Sequence, residues 1–403
     1  AAAAGLERLR KRKADAEAAI PWNDGERKTG SGKHFIAYLR DAGLPVPSSL
    51  NKQDPGFAAW LKTYGSDPVV AARLDIASLG SHIKRLEAVL LRGDENDILR
   101  VDSQSYGAHT GRCSGGADKD NDSGGGAKFN LYNLPKGDDE GFIHGVDMRG
   151  ILTPRPGHAF VIFDFGQIEA RIVQWLAGNK AFLERAAREN IYQAVAKTLG
   201  WYPEDGTDLK GDDRKLYALA KEAGLGLGFG MGAAKFLLRC EKSGIALDPV
   251  PKDRWVLDRR SKFILRNVAL KPWTDPANEE WISRFFAADN IVQAWRARNP
   301  QDVALWRALE DSLAAAADRQ EAVHYFTLPS GRRKPYWRPR RTAVPKIVLD
   351  PESGEASQVV ESRLTAFLVR DSKQMYKTLH GGPITENVVQ ATDGSMALKM
   401  MRE

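Results

Sequence analysis

The sequence predicts an α+β protein on three observations. Helical periodicity dominates two long stretches, Lys33 to Leu91 and Leu176 to Tyr325, in segments such as HFIAYLRDAGL and ASLGSHIKRLEAVLL set apart by Gly and Pro. Five consecutive apolar residues, Ala159 to Phe163, end abruptly on Asp164. Such a run fits a fully buried strand, although its length alone does not exclude a buried helix. Finally, YFTLPSGRRKPYWRPRR, Tyr325 to Arg341, begins as a strand and turn before becoming densely basic.

Composition sets the outer bounds. A chain of 403 residues can bury a large core and is expected to hold more than one subdomain. At 42% hydrophobic and 28% charged residues it reads as a soluble, globular, cytoplasmic protein. No run approaches the roughly 18 apolar residues of a membrane span, and the N-terminal segment turns basic at Arg8 to Lys13 without a signal-peptide core. Two cysteines, Cys113 and Cys240, form no disulfide framework and no metal-binding quartet. A net charge of +7 suits a polyanionic partner.

Taken in order, residues 1 to 20 read as a charged, solvated helix. GERKTGSGKH, Gly25 to His34, has the wrong glycine spacing for a phosphate-binding loop, and His34 replaces the required Ser/Thr. A Gly/Asp/Ser-rich stretch, Gly115 to Lys128, reads as a solvated loop between YGAHTGRCSGG and FNLYNLPKG. After Phe163 the period changes: Ile168, Ile172, Trp175 and Leu176 recur at helical spacing. Asp164 therefore stands where a core strand opens into a helix, a position suited to a divalent cation or, equally, to capping the helix. In DDRKLYALAKEAGLGLGFGMG, Arg214, Lys221, Leu225 and Phe229 fall near one helical face. Two cations on one side of a helix can offset a triphosphate. The five alternating glycines from Gly224 to Gly232 cost a helix about 1 kcal/mol each against Ala, so they imply either a close backbone approach or a loop.

These words resemble the motifs of the family A (Pol I-like) DNA polymerases, in a bacteriophage-like form. Asp164-Phe165-Gly166-Gln167-Ile168-Glu169-Ala170-Arg171 is similar to motif A, D-Y-S-Q-I-E-L-R, with Phe165 and Gly166 departing from it. The resemblance implies that Asp164 binds metal and that Glu169 crowds the sugar 2′ position; Gln167 and Ile168 then lie beside the nucleotide, and Arg171 on the DNA side. Thr110, Gly111 and Arg112 match T-G-R, and Asn130, Leu131, Asn133, Leu134 and Pro135 match N-L-Q-N-I-P. Of these, Thr110, Arg112, Asn130 and Asn133 are implied to touch the primer–template duplex, where minor-groove acceptors report base-pair geometry without sequence. The glycine-rich segment resembles motif B, R-x3-K-x3-F-x3-Y-G. Lys221 matches its lysine, Phe229 its tyrosine and Gly230 its glycine; Leu225 replaces an aromatic, and the arginine slot holds Tyr217, with Arg214 a turn earlier. Tyr192 stands where the family has a triphosphate-contacting histidine. Arg332 and Arg333 match a G-R-R turn, and Asn387 and Gln390 a palm helix with minor-groove contacts.

The resemblance implies a right-hand fold: thumb over 1–92, palm over 93–178 and 325–403 with an antiparallel sheet, and fingers over 179–324. It implies template-directed nucleotidyl transfer with two Mg²⁺ ions, primer–template DNA and deoxynucleoside triphosphates as partners, and a monomer working with or without replication accessory proteins. The family's second catalytic acid, in a His-Asp-Glu hairpin, has no counterpart: none of the seven histidines is followed by Asp. The expectation is a polymerase domain cut short or incompletely represented before that motif, or a degenerate one. The residues ahead of the expected thumb leave no room for an exonuclease domain with its Asp-x-Glu signature, so proofreading is not expected of these residues. Two alternatives stay open, a non-catalytic duplex-binding module and a single-subunit RNA polymerase; Glu169 argues against the second.

Overall fold

In a computed structural model the chain is described at residues 1–47, 50, 55–99, 101, 103–104, 107–110, 112–115, 131–135, 144–162, 165–267, 276–350, 353, 355–368 and 377–402. It divides into two compact units, residues 1–107 with 113–163, and residues 108–112 with 164–403.

The first unit is built on helices α1 (Ala2–Ala18), α2 (Gly32–Asp41), α3 (Pro55–Tyr64) and α4 (Pro68–Arg92), with a two-residue ladder of β1 (Ser103–Gln104) and β2 (Ser114–Gly115). Asp67 starts α4 by accepting from Val69 N at 2.9 Å and Val70 N at 3.0 Å, and Pro68 follows at the first helical position. Leu6 and Leu9 of α1 pack on Leu79, Ile83 and Leu86 of α4. Ion pairs Arg10–Glu87 and Arg12–Asp75 tie the two helices at the surface. A second cluster, around Trp22, Phe35, Leu39 and Trp60, closes the other end of α4.

The second unit carries the candidate site. Its helices are α5 (Ile168–Ala177), α6 (Lys180–Arg188), α7 (Ile191–Thr198), α8 (Leu209–Asp212), α9 (Arg214–Leu227), α10 (Ala233–Lys242), α11 (Arg259–Asn267), α12 (Glu279–Arg298) and α13 (Pro300–Asp318). There follow β3 (Val323–Thr327), β4 (Arg333–Leu349), β5 (Ala356–Phe367), β6 (Lys377–Thr378) and the helix α14 (Gly381–Arg402). The four strands form an antiparallel sheet in sequence order. One core joins α7, α9, α10 and α12 through Ile191, Ala220, Phe236, Phe285 and Trp295. Another sets the sheet against α13 and α14 through Leu313, Tyr336, Leu364, Ile384 and Val388. The strand-and-turn reading of Tyr325 onward thus holds, and α14 runs unbroken through Asp393-Gly394-Ser395, a sequence that resembles a turn.

Two expectations are corrected. Ala159 to Ile162 forms no strand, and Phe160, Val161 and Ile162 are 56%, 87% and 89% exposed. Apolarity makes a buried strand only where a neighbouring strand takes up its backbone groups, and none of the described ladders includes these residues. Trp175 is 48% exposed, while Ala170, Ile172, Val173 and Gln174 are the buried face of α5. Phe163 and Asp164 lie outside the described residues.

Under α5 sits a buried polar cluster. Gln174 Nε2 donates to Asp302 Oδ2 at 2.7 Å, and Asn179 Nδ2 donates to Gln174 Oε1 at 2.8 Å. Asp302 is fully buried and its Oδ1 has no hydrogen-bond partner among the described residues. Burial pushes its carboxyl up to about 7, against the opposing hydrogen bond from Gln174. The folded protein therefore retains a proton that the unfolded chain releases near pH 4, and stability falls as pH rises from about 4 to 7. Asp302→Asn keeps an acceptor for Gln174 and removes the charge. It should match the wild type in urea unfolding near the lower limit of this window and exceed it by about 1–3 kcal/mol above the upper limit. A variant weaker than wild type at the higher pH would contradict this account of Asp302.

Candidate nucleic-acid and nucleotide site

Residues 108–112 form a turn closed by the Ala108 N to Arg112 O bond at 3.1 Å. Side chains from three other elements hold this turn. Arg332, just before β4, donates from Nη2 to Thr110 O at 3.1 Å and to Ala391 O of α14 at 3.2 Å. Lys334 of β4, 3% exposed, donates from Nζ to His109 O. Burial, and then the charge of Arg332, lowers the Lys334 ammonium to about 8. His109 Nε2 lies 3.1 Å from Asn387 Oδ1, which can only accept, so this nitrogen carries the proton.

Arg112 is the junction of the cluster. Its Nε and Nη2 donate to Asp393 Oδ2 of α14 at 3.0 and 2.7 Å, and Nη2 also donates to Glu169 Oε1 of α5. One guanidinium thus engages two carboxylates, using the planar fork that only Arg offers. The pairs are partly buried, with side-chain exposures of 37% for Arg112, 29% for Glu169 and 14% for Asp393. Glu169 and Asp393 lie on different helices, so Arg112 keeps two like charges from facing each other unpaired.

The nucleotide side centres on α5, α7 and α9. Gln167 adopts a left-handed φ of 58° just before α5, and its Oε1 accepts from Ile191 N at 3.2 Å, satisfying the start of α7. Ile168 is partly buried in the core of α5 and α14. Arg171 donates to Gly166 O at 3.1 Å and Ala186 O at 2.8 Å, bracing α5 against α6. Tyr192 is 8% exposed, edge-on to Tyr217 with ring centroids 5.6 Å apart. A Cβ at Gly224 would meet Val195 Cγ2 at 3.3 Å and Tyr192 Cδ1 at 3.5 Å, so α9 crosses α7 where it has no side chain. At this position the glycine serves a close approach between helices. Gly230, at φ +72°, turns the chain after α9 beside Trp306, whose Nε1 donates to Gly228 O at 2.9 Å. Leu225 and Phe229 pack partly into the cores. Arg214 opens α9 behind its cap Asp213; both Arg214 and Lys221 are exposed, and seven residues of helix set them about 10 Å apart on one side.

The structure thus joins Thr110, Arg112, Glu169, Arg332 and Asn387 in one cluster and places Arg214 and Lys221 on one face of α9. Gln390 lies one turn along α14 from Glu386, to which it donates at 3.4 Å. Arg333 is exposed with its guanidinium 3.8 Å over the Tyr325 ring. Asp164 and Asn130 lie outside the described residues, as does the side chain of Asn133, whose backbone sits in a 3-10 turn. Sequence reasoning missed Asp393, His109 and Lys334. Helical periodicity carried through Asp393-Gly394-Ser395 would have set Asp393 one turn from Gln390. Among the described residues no three His, Cys, Asp or Glu side chains gather as metal ligands. Glu169 and Asp393 both engage Arg112, which makes them members of an ion-pair cluster in this arrangement.

Arg112→Ala should lower stability by about 1–3 kcal/mol, because it leaves two partly buried carboxylates without their partner. Adding Asp393→Asn should recover part of that loss in a double-mutant cycle read by urea midpoints. Strict additivity would mean that the Arg112–Asp393 contact carries no coupling.

No protein-family model matches the chain. Its sequence is 26% identical over 277 residues to a DNA polymerase of Bacillus phage SP02, covering 65% of this chain and 35% of the relative. It is 31% identical over 136 residues to DNA polymerase I of Aquifex aeolicus, covering 33% of this chain and 22% of that protein. Its fold matches the POL domain of Pol1 from M. smegmatis, solved in complex with DNA primer-template and dNTP. The TM-score is 0.54 at 15% identity, over 98% of this chain and 53% of that one. The chain thus spans about a third or less of the curated relatives and about half of the solved one. Sequence and fold point the same way: the chain is similar in sequence to these two DNA polymerases and has the fold of the POL domain of Pol1.

Proposed function

We propose that the chain carries out template-directed addition of deoxynucleotides to a primer 3′-hydroxyl, in phage genome replication. The observation that carries this reading is the Arg112 junction. Three sequence words far apart in the chain, Thr110 to Arg112, Gln167 to Arg171 and Asn387 to Asp393, meet in one polar cluster. The relatives' names and the primer–template complex of the structural neighbour support the same partners for this chain. The proposed division is thumb over 1–92, palm over 93–178 and 325–403, and fingers over 179–324, acting as a monomer with or without accessory proteins.

In this reading Lys221 and Arg214 face the incoming triphosphate from α9 and offset charge that develops on its phosphates. Lys221 acts as a point charge and Arg214 as a fork. Glu169, held by Arg112, stands where the sugar 2′ position would pass and favours deoxynucleotides by crowding. Arg112, Asn387 and Gln390 present donors towards minor-groove acceptors common to all base pairs, so fit is sensed in place of sequence. Mg²⁺, when bound through Asp164, would lower the pKa of the primer hydroxyl and shield the triphosphate.

The decisive assay is primer extension with Mg²⁺, run in parallel with deoxy- and ribonucleotides. Deoxynucleotide-dependent extension is expected. Asp164→Ala should abolish extension and leave duplex affinity unchanged, while Lys221→Ala should raise the KM for nucleotide about 10- to 100-fold. Ribonucleotide preference would favour an RNA polymerase. Tight, salt-sensitive duplex binding with no extension would favour a binding module.

A further inference from the structure

Two of the donors proposed to face the duplex are engaged by acids of α14. Gln390 Nε2 donates to Glu386 Oε1 at 3.4 Å. Arg112 turns the Nε–Nη2 edge of its guanidinium onto Asp393 Oδ2, at 3.0 and 2.7 Å. The second contact is the closer one, and it pairs full charges. Asp393 stands one helical turn beyond Gln390, so the acid that holds Arg112 lies beside the residues proposed to sense the base pair.

The backbone of the turn has other supports. Lys334 and Arg332 take its carbonyls at His109 and Thr110, and the Ala108 N to Arg112 O bond closes it. Glu169 holds Nη2 from α5. What Asp393 adds is the direction of the guanidinium. None of these bonds uses Nη1, and the Arg112 side chain is 37% exposed against 14% for Asp393. Arg112 therefore meets solvent with one amine while its fork lies on a carboxylate. A base pair offers the minor groove only neutral acceptors, purine N3 and pyrimidine O2. A carboxylate adds a charge attraction that such acceptors lack. A duplex end thus gains from Arg112 only what is left after Asp393 has been displaced.

We propose that Asp393 is a positioning residue that holds Arg112 off the duplex, so that the pair at the primer end and the Asp393 carboxylate compete for one guanidinium. The inference rests on the polymerase reading, in which Arg112 faces the minor groove. A well-formed end displaces Asp393; a mispaired end, with its acceptors out of place, leaves the ion pair closed. When the end moves on, Arg112 returns to Asp393, and the contact is remade on the next pair.

The test is fluorescence anisotropy without nucleotide, using a labelled primer–template with a matched end, the same duplex with a terminal mismatch, and a blunt duplex. Asp393→Asn should bind the matched end about three- to tenfold more tightly than wild type, and the mismatched end within about twofold of it. Asp393→Glu should bring the matched end back towards wild type. In an Arg112→Ala background Asp393→Asn should change nothing, because the competition needs the guanidinium. Circular dichroism and urea midpoints check that each variant is folded, and Asp393→Ala repeats the comparison with no acceptor left. Weaker or unchanged matched-end binding in Asp393→Asn would overturn the proposal and make Asp393 a pin of the turn. Equal tightening on both ends, or tightening that persists without Arg112, would overturn it as the mere loss of a negative charge. A wild-type protein that does not prefer a primer end to a blunt duplex would end the polymerase reading and this inference with it. Preference for the primer end with no gain in Asp393→Asn would end this inference alone.

Discussion

The second unit depends on one guanidinium meeting two carboxylates. Arg112 belongs to a short turn with no regular structure of its own, yet that turn is held by β4, by α14 and by α5. Both ion pairs join elements more than fifty residues apart in sequence. The large hydrophobic clusters also span long sequence distances, but neither includes the turn itself: one lies among the helices α7, α9, α10 and α12 and the other between the sheet and α13 and α14. Apolar burial builds the lobes, and charge-assisted hydrogen bonds set the turn among them. Thr110 is 3% exposed and offers its carbonyl to Arg332, so even the backbone of the turn is pinned.

This arrangement changes what the basic residues mean. By sequence, Arg171, Arg332 and Arg333 all read as cations for DNA. In the structure Arg171 and Arg332 donate to main-chain carbonyls within the fold, where they orient α5 and the turn. Only Arg333 is exposed among the three. Composition counts a charge but cannot tell whether its hydrogen bonds end in solvent or on a carbonyl. The same limit applies to Gln167, whose amide starts α7, and to Tyr192, whose ring fills the space left by Gly224.

What could be read from the sequence followed the range of the interactions. Helices with strong periodicity and clear caps, such as α4 behind Asp67 and Pro68, are legible locally. The β3–turn–β4 segment is legible too, since its turn lies in seven successive residues. Ala159 to Ile162 is not, because a strand requires a neighbour and apolarity says nothing of whether one is present. In the site, motif words found Arg112, Glu169 and Asn387 but passed over Asp393, since Asp-Gly-Ser is a turn signal in isolation. Tertiary packing of Ile384 and Val388 on the sheet holds α14 helical through it, and that helix is what presents Asp393 to Arg112.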